Sequence, residues 1–175
     1  MSTIRRLDQT DLEDLIAIRR KALMTDPQSF SASPESDLGL DCEFVRSSLA
    51  ETSTQFYLGA FDGDLVGMTG VYRFPKEKEN HKAGVWGMYV EPTHRGRGFG
   101  AGLLQAAIDS ARSMDGVTHL YLCVSETADS ARRLYERFGF VTWGLEPASL
   151  QVDGELVDVR HMVRPLNEDR RTKTV

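Results

Sequence analysis

Cysteine is scarce in this chain, two in 175 residues. Cys42 and Cys123 cannot build the multi-bridge framework of a small secreted domain. Their settings, one near a helix start and one in an apolar strand, predict reduced, packed side chains of a cytoplasmic protein. Long apolar runs are also missing. No stretch approaches the roughly 20 residues that span a bilayer, and the first residues include Arg5 and Arg6 with no apolar leader core, so neither membrane insertion nor secretion is expected. Basic charge is in deficit: 21 Lys and Arg against 26 Asp and Glu give a formal net charge of -5. That balance argues against a nucleic-acid-binding surface and suits a cationic or amine partner. No Gly-x-x-x-x-Gly-Lys-Ser/Thr loop occurs, which removes support for nucleotide hydrolysis, and no His, Cys and carboxylate cluster has metal-ligand spacing.

What is present suits one globular domain over residues 1–166 followed by a polar tail, 167–175, with 41% hydrophobic and 27% charged residues. Residues 3–7 read as a first strand. Thr10 and Glu13 have capping-box spacing ahead of a helix over about 11–25, and residues 27–39 form a Ser- and Pro-containing loop. Asp41 caps a second helix bearing Phe44, Val45 and Leu49. Residues 55–61 and 65–74 are strands joined by Asp62-Gly63-Asp64, a hairpin signal, and 83–90 extends them into an antiparallel meander. A helix with Leu103, Leu104, Ala107, Ile108 and Ala111 on one stripe ends near Asp115-Gly116. Then come a strand with Leu120, Leu122 and Val124 on one face, a helix over 129–137 stopped by Gly139, and a hairpin of 140–152 and 155–163 about Asp153-Gly154.

The stretch Val90-Glu-Pro-Thr-His-Arg-Gly-Arg-Gly-Phe-Gly-Ala-Gly-Leu-Leu104 links a strand to a helix through glycines. Gly96, Gly98 and Gly100 leave consecutive amide N–H groups open to one anion beside Arg95 and Arg97, and the helix that follows begins with unpaired donors and a positive dipole end. That is a phosphate cradle. The run also fits the Gly-x-Gly-x-x-Ala form of a dinucleotide fingerprint, but the strands before it read as an antiparallel meander, and too little chain follows for a second nucleotide-binding half.

The same run resembles the acyl-CoA pyrophosphate loop of the GCN5-related N-acetyltransferase (GNAT) family, whose pattern Gln/Arg-x-x-Gly-x-Gly/Ala is matched by Arg95, Gly98 and Gly100. A second segment, Ala131-Arg-Arg-Leu-Tyr-Glu-Arg-Phe-Gly-Phe140, is similar to that family's Ala-x-x-Leu-Tyr-x-x-x-Gly-Phe motif, at the expected separation. The resemblance implies an α/β (α+β) fold with a mixed, largely antiparallel sheet of about seven strands and about four helices. It implies acetyl-CoA as cosubstrate, no metal, and direct acetyl transfer to a primary amine of a small molecule or protein. A homodimer is compatible with it and not determined by the sequence.

By the same resemblance, pantetheine lies between two splayed strands ending at Val90 and Val124. Backbone groups of Met88 and Val90 pair with its amides, a bulged N–H around Met88, Tyr89 and Val90 receives the oxyanion, and amides of Arg95, Gly96, Arg97, Gly98, Phe99, Gly100 and Ala101 hold the pyrophosphate. Tyr135 occupies the general-acid position, although it also belongs to the apolar stripe of its helix. No carboxylate stands where some relatives keep a base; His81, Glu91, His94 or a water relay remain open. Ala128 replaces a cofactor-contacting asparagine, and Cys123 is read as a strand residue near pantetheine. Residues 27–41, 75–81 and 143–158 are expected to shape the acceptor site, with Trp143, Glu146 and Asp158 as candidate contacts to a cationic group. A catalytically silent acyl-CoA-binding or sensing module is the alternative reading.

Overall fold

The computed structural model describes residues 3–51 and 54–166; the polar tail expected over 167–175 lies outside them. The chain begins with β1 (Thr3–Arg6) and reaches α1 (Leu12–Thr25) through a short 3-10 turn at Gln9–Asp11. Here the capping residue differs from the one expected. The Asp8 carboxylate accepts the Thr10 N–H at 2.8 Å and the Asp11 carboxylate accepts the Asp8 N–H at 2.9 Å. The box forms two residues early because Arg5 draws Asp11 inward through two bonds of 2.6 and 2.7 Å, leaving Thr10 no cap to make. Asp41 caps α2 (Cys42–Ala50) as expected, accepting from the Phe44 N–H at 2.7 Å.

Strands β2 (Gln55–Asp62), β3 (Asp64–Arg73) and β4 (Lys82–Val90) form the antiparallel meander. Then follow α3 (Phe99–Ser113), β5 (His119–Ser125), α4 (Asp129–Arg137), β6 (Val141–Val152) and β7 (Glu155–Pro165). Seven strands lie in the order β1-β2-β3-β4-β5-β7-β6, with β4 and β5 parallel and every other neighbour antiparallel. Among the described residues no helix is long and apolar enough to cross a membrane.

Helices cover both faces of the first half of the sheet. On one face Leu103, Leu104 and Ile108 of α3 are fully buried against Leu58, Val71 and Val85, and each such side chain contributes roughly 1.5–3 kcal/mol. On the other, Leu15, Ile18 and Ala22 of α1 pack with Val45, Met68 and Tyr89. Double coverage explains why β3 is buried continuously from Leu65 to Val71, where a half-exposed strand would alternate. Among the described residues, the face that α1 packs on in the first half continues along β5, β7 and β6 as a groove.

The parallel contact between β4 and β5 is short. It comprises Lys82↔His119, Ala83↔Leu120 and Gly84↔Tyr121, after which each strand runs on without the other. The strands therefore part, as the expected splay requires, and leave unpaired backbone edges facing each other from Val85 and Leu122 onward. β4 is also bulged against β3: pairing skips from Met68↔Tyr89 to Gly70↔Trp86, and Gly87 has φ +65°. The left-handed angle at Gly87 accommodates the extra residue that bends the strand away from β5.

Candidate active site

The gap between the parting strands joins two grooves. One, of about 860 Å³, runs past the end of β4 and the glycine loop to α4, lined by Met88, Val90, Arg95, Gly98, Ala101 and Leu134 among others. The other, of about 820 Å³, lies on the α1 side of the sheet. Between them is a space of about 80 Å³ lined by Val85–Met88, Leu122–Ser125, Ala128 and Tyr135. Ser29 and Phe30 border all three spaces.

The glycine loop has the geometry of an anion cradle. Gly96 and Gly98 have φ +77° and +89°, angles that β-carbons disfavour. Gly98 caps α3, whose early helical bond runs from the Gly102 N–H to the Gly98 carbonyl at 2.9 Å. The amides of Phe99, Gly100 and Ala101 thus precede intrahelical pairing and point out of the helix start. The loop arginines are tied down. Arg95 donates to the Val90 carbonyl at 2.9 Å and pairs with Asp26; Arg97 bonds Asp62 at 2.7 Å.

Of the residues expected to touch the cofactor, Met88, Tyr89, Val90, Arg95, Gly96, Gly98, Gly100 and Ala101 line the larger groove. Arg97 turns toward Asp62, and the Phe99 ring is buried in the core at 3% exposure, so at Phe99 only the backbone is available. Tyr135 is 5% exposed and lines the gap. Burial pushes its phenol pKa up, so the hydroxyl keeps its proton through neutral pH. Its ring meets Phe140 edge-on at 6.0 Å; the packing position and the gap-facing position are the same position.

The candidate bases named from the sequence do not gather at the gap. His81 precedes β4 and stacks edge-on with His119 at 6.1 Å. Glu91 is bonded to Lys21 at 2.5 Å, and His94 borders the larger groove beside Thr93, 3.0 Å away. Residues 75–81 likewise stand outside the second groove, which their neighbours Phe74 and Lys82 line instead.

That second groove is aromatic. Tyr72, Phe74, Trp86, Tyr121 and Trp143 line it, with Phe30 at the mouth of the gap. Glycines make room for two of these rings: a Cβ on Gly70 would stand 2.2 Å from the Trp86 ring nitrogen, and one on Gly84 would stand 2.5 Å from Tyr72. Phe30 is held by Arg19, whose guanidinium carbon lies 4.9 Å from the Phe30 ring centre and 5.5 Å from that of Trp86. Arg19 and Asp37 form a buried ion pair at 2.6 Å, fastening the loop between α1 and α2 to α1. Trp143 is 60% exposed and stacks at 5.2 Å on His161; it is a groove wall and not a core residue. Asp158 instead accepts the Ala148 N–H at 2.7 Å.

Both cysteines are free and exposed, which corrects the expectation that they are packed. Cys42 sits at the first turn of α2, and Cys123 points opposite to the buried Leu122 and Val124, into the groove. Its Sγ lies 3.2 Å from His161 Nδ1, and His161 Nε2 lies 2.9 Å from Glu146 Oε2. Groove walls and the Glu146 charge push the Cys123 thiol up, whereas bonds from His161 and Ser149 hold Glu146 below the usual carboxylate range. The sequence carried a signal for this side: Tyr121 and Cys123, Val159, His161 and Val163 alternate with the core-facing set, a period of two. Among the described residues no group of three or more His, Cys, Asp or Glu side chains is arranged to hold a metal ion.

The family model described as the acetyltransferase (GNAT) family matches residues 17–140, from within α1 to the residue after Gly139. The chain belongs to the GNAT family. Among curated relatives, the spermine/spermidine N(1)-acetyltransferase of Bacillus subtilis strain 168 is 33% identical over 105 residues, 58% of this chain and 66% of that protein. This chain thus spans just under two thirds of that relative's length. The streptothricin acetyltransferase of Streptomyces lavendulae is 33% identical over 150 residues, 86% of this chain and 75% of that protein. The structure of yncA from Salmonella typhimurium with its cofactor acetyl-CoA has a TM-score of 0.83 at 20% identity, covering all of this chain and 99% of that one; the two share the GNAT fold.

Proposed function

We propose that this GNAT protein transfers the acetyl group of acetyl-CoA directly to a primary amine, the donor lying in the groove of the glycine loop and the acceptor in the aromatic groove. The observation that carries this reading is the junction: two grooves open into one gap beside Tyr135. The fold shared with an acetyl-CoA-bound neighbour and the acetyltransferase names of the relatives support the donor.

In this reading the loop amides hold the pyrophosphate and the free edge of β4 pairs with pantetheine. The amine attacks the thioester carbonyl from the aromatic side, and a backbone N–H at the Gly87–Met88 bulge stabilises the developing oxyanion. Tyr135 gives its proton to the departing CoA sulfur.

The acceptor groove favours an amine on an apolar or aromatic frame. Its charged lining contains Arg19 and Lys82 against Glu146, and Glu146 already holds His161. A polyamine needs several free carboxylates, so a substrate like that named for the Bacillus relative fits this groove poorly. The test is a panel of amines assayed by free-thiol release. Aromatic monoamines such as 2-phenylethylamine are expected to give kcat/KM about tenfold or more above spermidine, a difference of about 1.4 kcal/mol. Preference for spermidine would overturn the acceptor assignment.

A further inference from the structure

We propose that His161, oriented by Glu146, is the general base that accepts the proton of the acceptor amine. This rests on the acetyl-transfer reading and supplies the group which that reading lacks. The three side chains come from three adjacent strands: Cys123 from β5, His161 from β7 and Glu146 from β6, with Cys123 directly opposite His161 in the pairing register. Glu146 Oε2 at 2.9 Å from Nε2 fixes the imidazole with its proton on that nitrogen, because an ionised carboxylate only accepts. The Nδ1 lone pair then faces the Cys123 thiol at 3.2 Å. Cys123 lines both the acceptor groove and the gap, so Nδ1 lies in the acceptor groove one side chain away from where the two meet.

The groups facing His161 are few. Cys123 approaches from β5 and Glu146 from β6, with the Trp143 ring stacked at 5.2 Å. Arg19, Tyr72, Lys82 and Tyr121 complete the titratable lining of the same groove. Lys82 is engaged with Glu79 at 2.7 Å and Arg19 with Asp37 at 2.6 Å. Among the described residues His161 is the one imidazole in the lining of the acceptor groove, and Glu146 is occupied in holding it.

Protons balance as follows. The ammonium acceptor gives one proton to Nδ1, forming an imidazolium paired with Glu146, and this proton later leaves to solvent. The freed lone pair forms the N–C bond as the C–S bond breaks. The nitrogen loses a second proton as the amide forms, replacing the one that Tyr135 gives to CoA sulfur, and the third stays on the amide.

The test uses the full chain, acetyl-CoA and 2-phenylethylamine, with kcat/KM followed by thiol release against pH. His161→Ala is expected to lose about 100-fold at pH 7, with acetyl-CoA affinity unchanged. The deficit should shrink as pH rises and the amine deprotonates in solution, and added imidazole should restore part of the rate. Glu146→Gln should lose less, because the imidazole remains but its tautomer is no longer fixed. Activity of His161→Ala within about threefold of the parent, or a loss equal at every pH and unmoved by imidazole, would overturn the base assignment while leaving acetyl transfer intact. Absence of thiol release from the parent protein with any amine would overturn both.

Discussion

Gly84 and Tyr121 are the last residues at which β4 and β5 pair. Up to that rung the sheet is continuous; beyond it the strands diverge. The bulge at Gly87, the Tyr135 ring and the Cys123 sulfur all face the same small space.

Tyr135 is expected to act through its hydroxyl. Tyr135→Phe keeps the ring packed on Phe140 and should leave stability and acetyl-CoA affinity nearly unchanged while lowering kcat on the order of 100-fold. Because burial raises the phenol pKa, Tyr135 stays protonated through neutral pH and its loss should not move the acidic limb of the rate profile. Steady-state kinetics against pH checks this, and an unchanged kcat would remove Tyr135 from the acid role.

At the glycine loop, conformation and charge can be separated. Gly98 has φ +89° with open space around the missing Cβ, so Gly98→Ala introduces strain alone and should cost on the order of 1 kcal/mol of stability. Gly98→Glu adds a negative charge beside the pyrophosphate and should weaken acetyl-CoA binding by about tenfold or more, roughly 1.4 kcal/mol. Calorimetric titration of both variants distinguishes strain from repulsion; equal affinities would dismiss the cradle.

The Arg19–Asp37 pair should be a stability determinant. Both side chains are at most 10% exposed, and Arg19 Nη1 is buried with no hydrogen-bond partner among the described residues. Asp37→Ala leaves that guanidinium uncompensated and is expected to cost about 3 kcal/mol, read as a fall in Tm of about 10 °C for a chain of this size. The double change Arg19→Met, Asp37→Leu should recover most of the loss. Thermal unfolding of the three variants tests it.

Groove shape can be altered without touching the donor side. A Cβ at Gly84 collides with the Tyr72 ring, so Gly84→Ala should push that ring into the acceptor groove. The expected cost is about 1–3 kcal/mol of stability from overpacking, with a raised KM for the amine and unchanged acetyl-CoA affinity.

Much of this was legible in the sequence because its signals were local. Asp62-Gly63-Asp64 and Asp153-Gly154 set hairpins, Asp41 capped α2, and the stripe from Leu103 to Ala111 declared α3. The glycine-loop conformation could be read because one local stretch, residues 95–101, carries it. The second groove was legible only in part: residues 27–41, Trp143 and Glu146 were named and contribute to its lining, whereas Arg19, Trp86, Cys123 and His161 lie far apart in sequence and join them only through the fold. Cys123 looked packed because its neighbours Leu122 and Val124 are apolar, yet strand alternation turns it the other way. The Thr10–Glu13 box had the right spacing, but Arg5, six residues before Asp11, holds that carboxylate where it closes the box with Asp8 instead.

The most direct test of acetyl transfer across the gap is a single turnover with acetyl-CoA labelled in its acetyl carbons and 2-phenylethylamine as acceptor, followed by mass spectrometry and thiol titration. The expected result is label on the amine nitrogen, one acetyl for each CoA thiol freed. Tight acetyl-CoA binding with no acceptor-dependent release of thiol, for this or any other amine, would contradict it and make the chain a binding module.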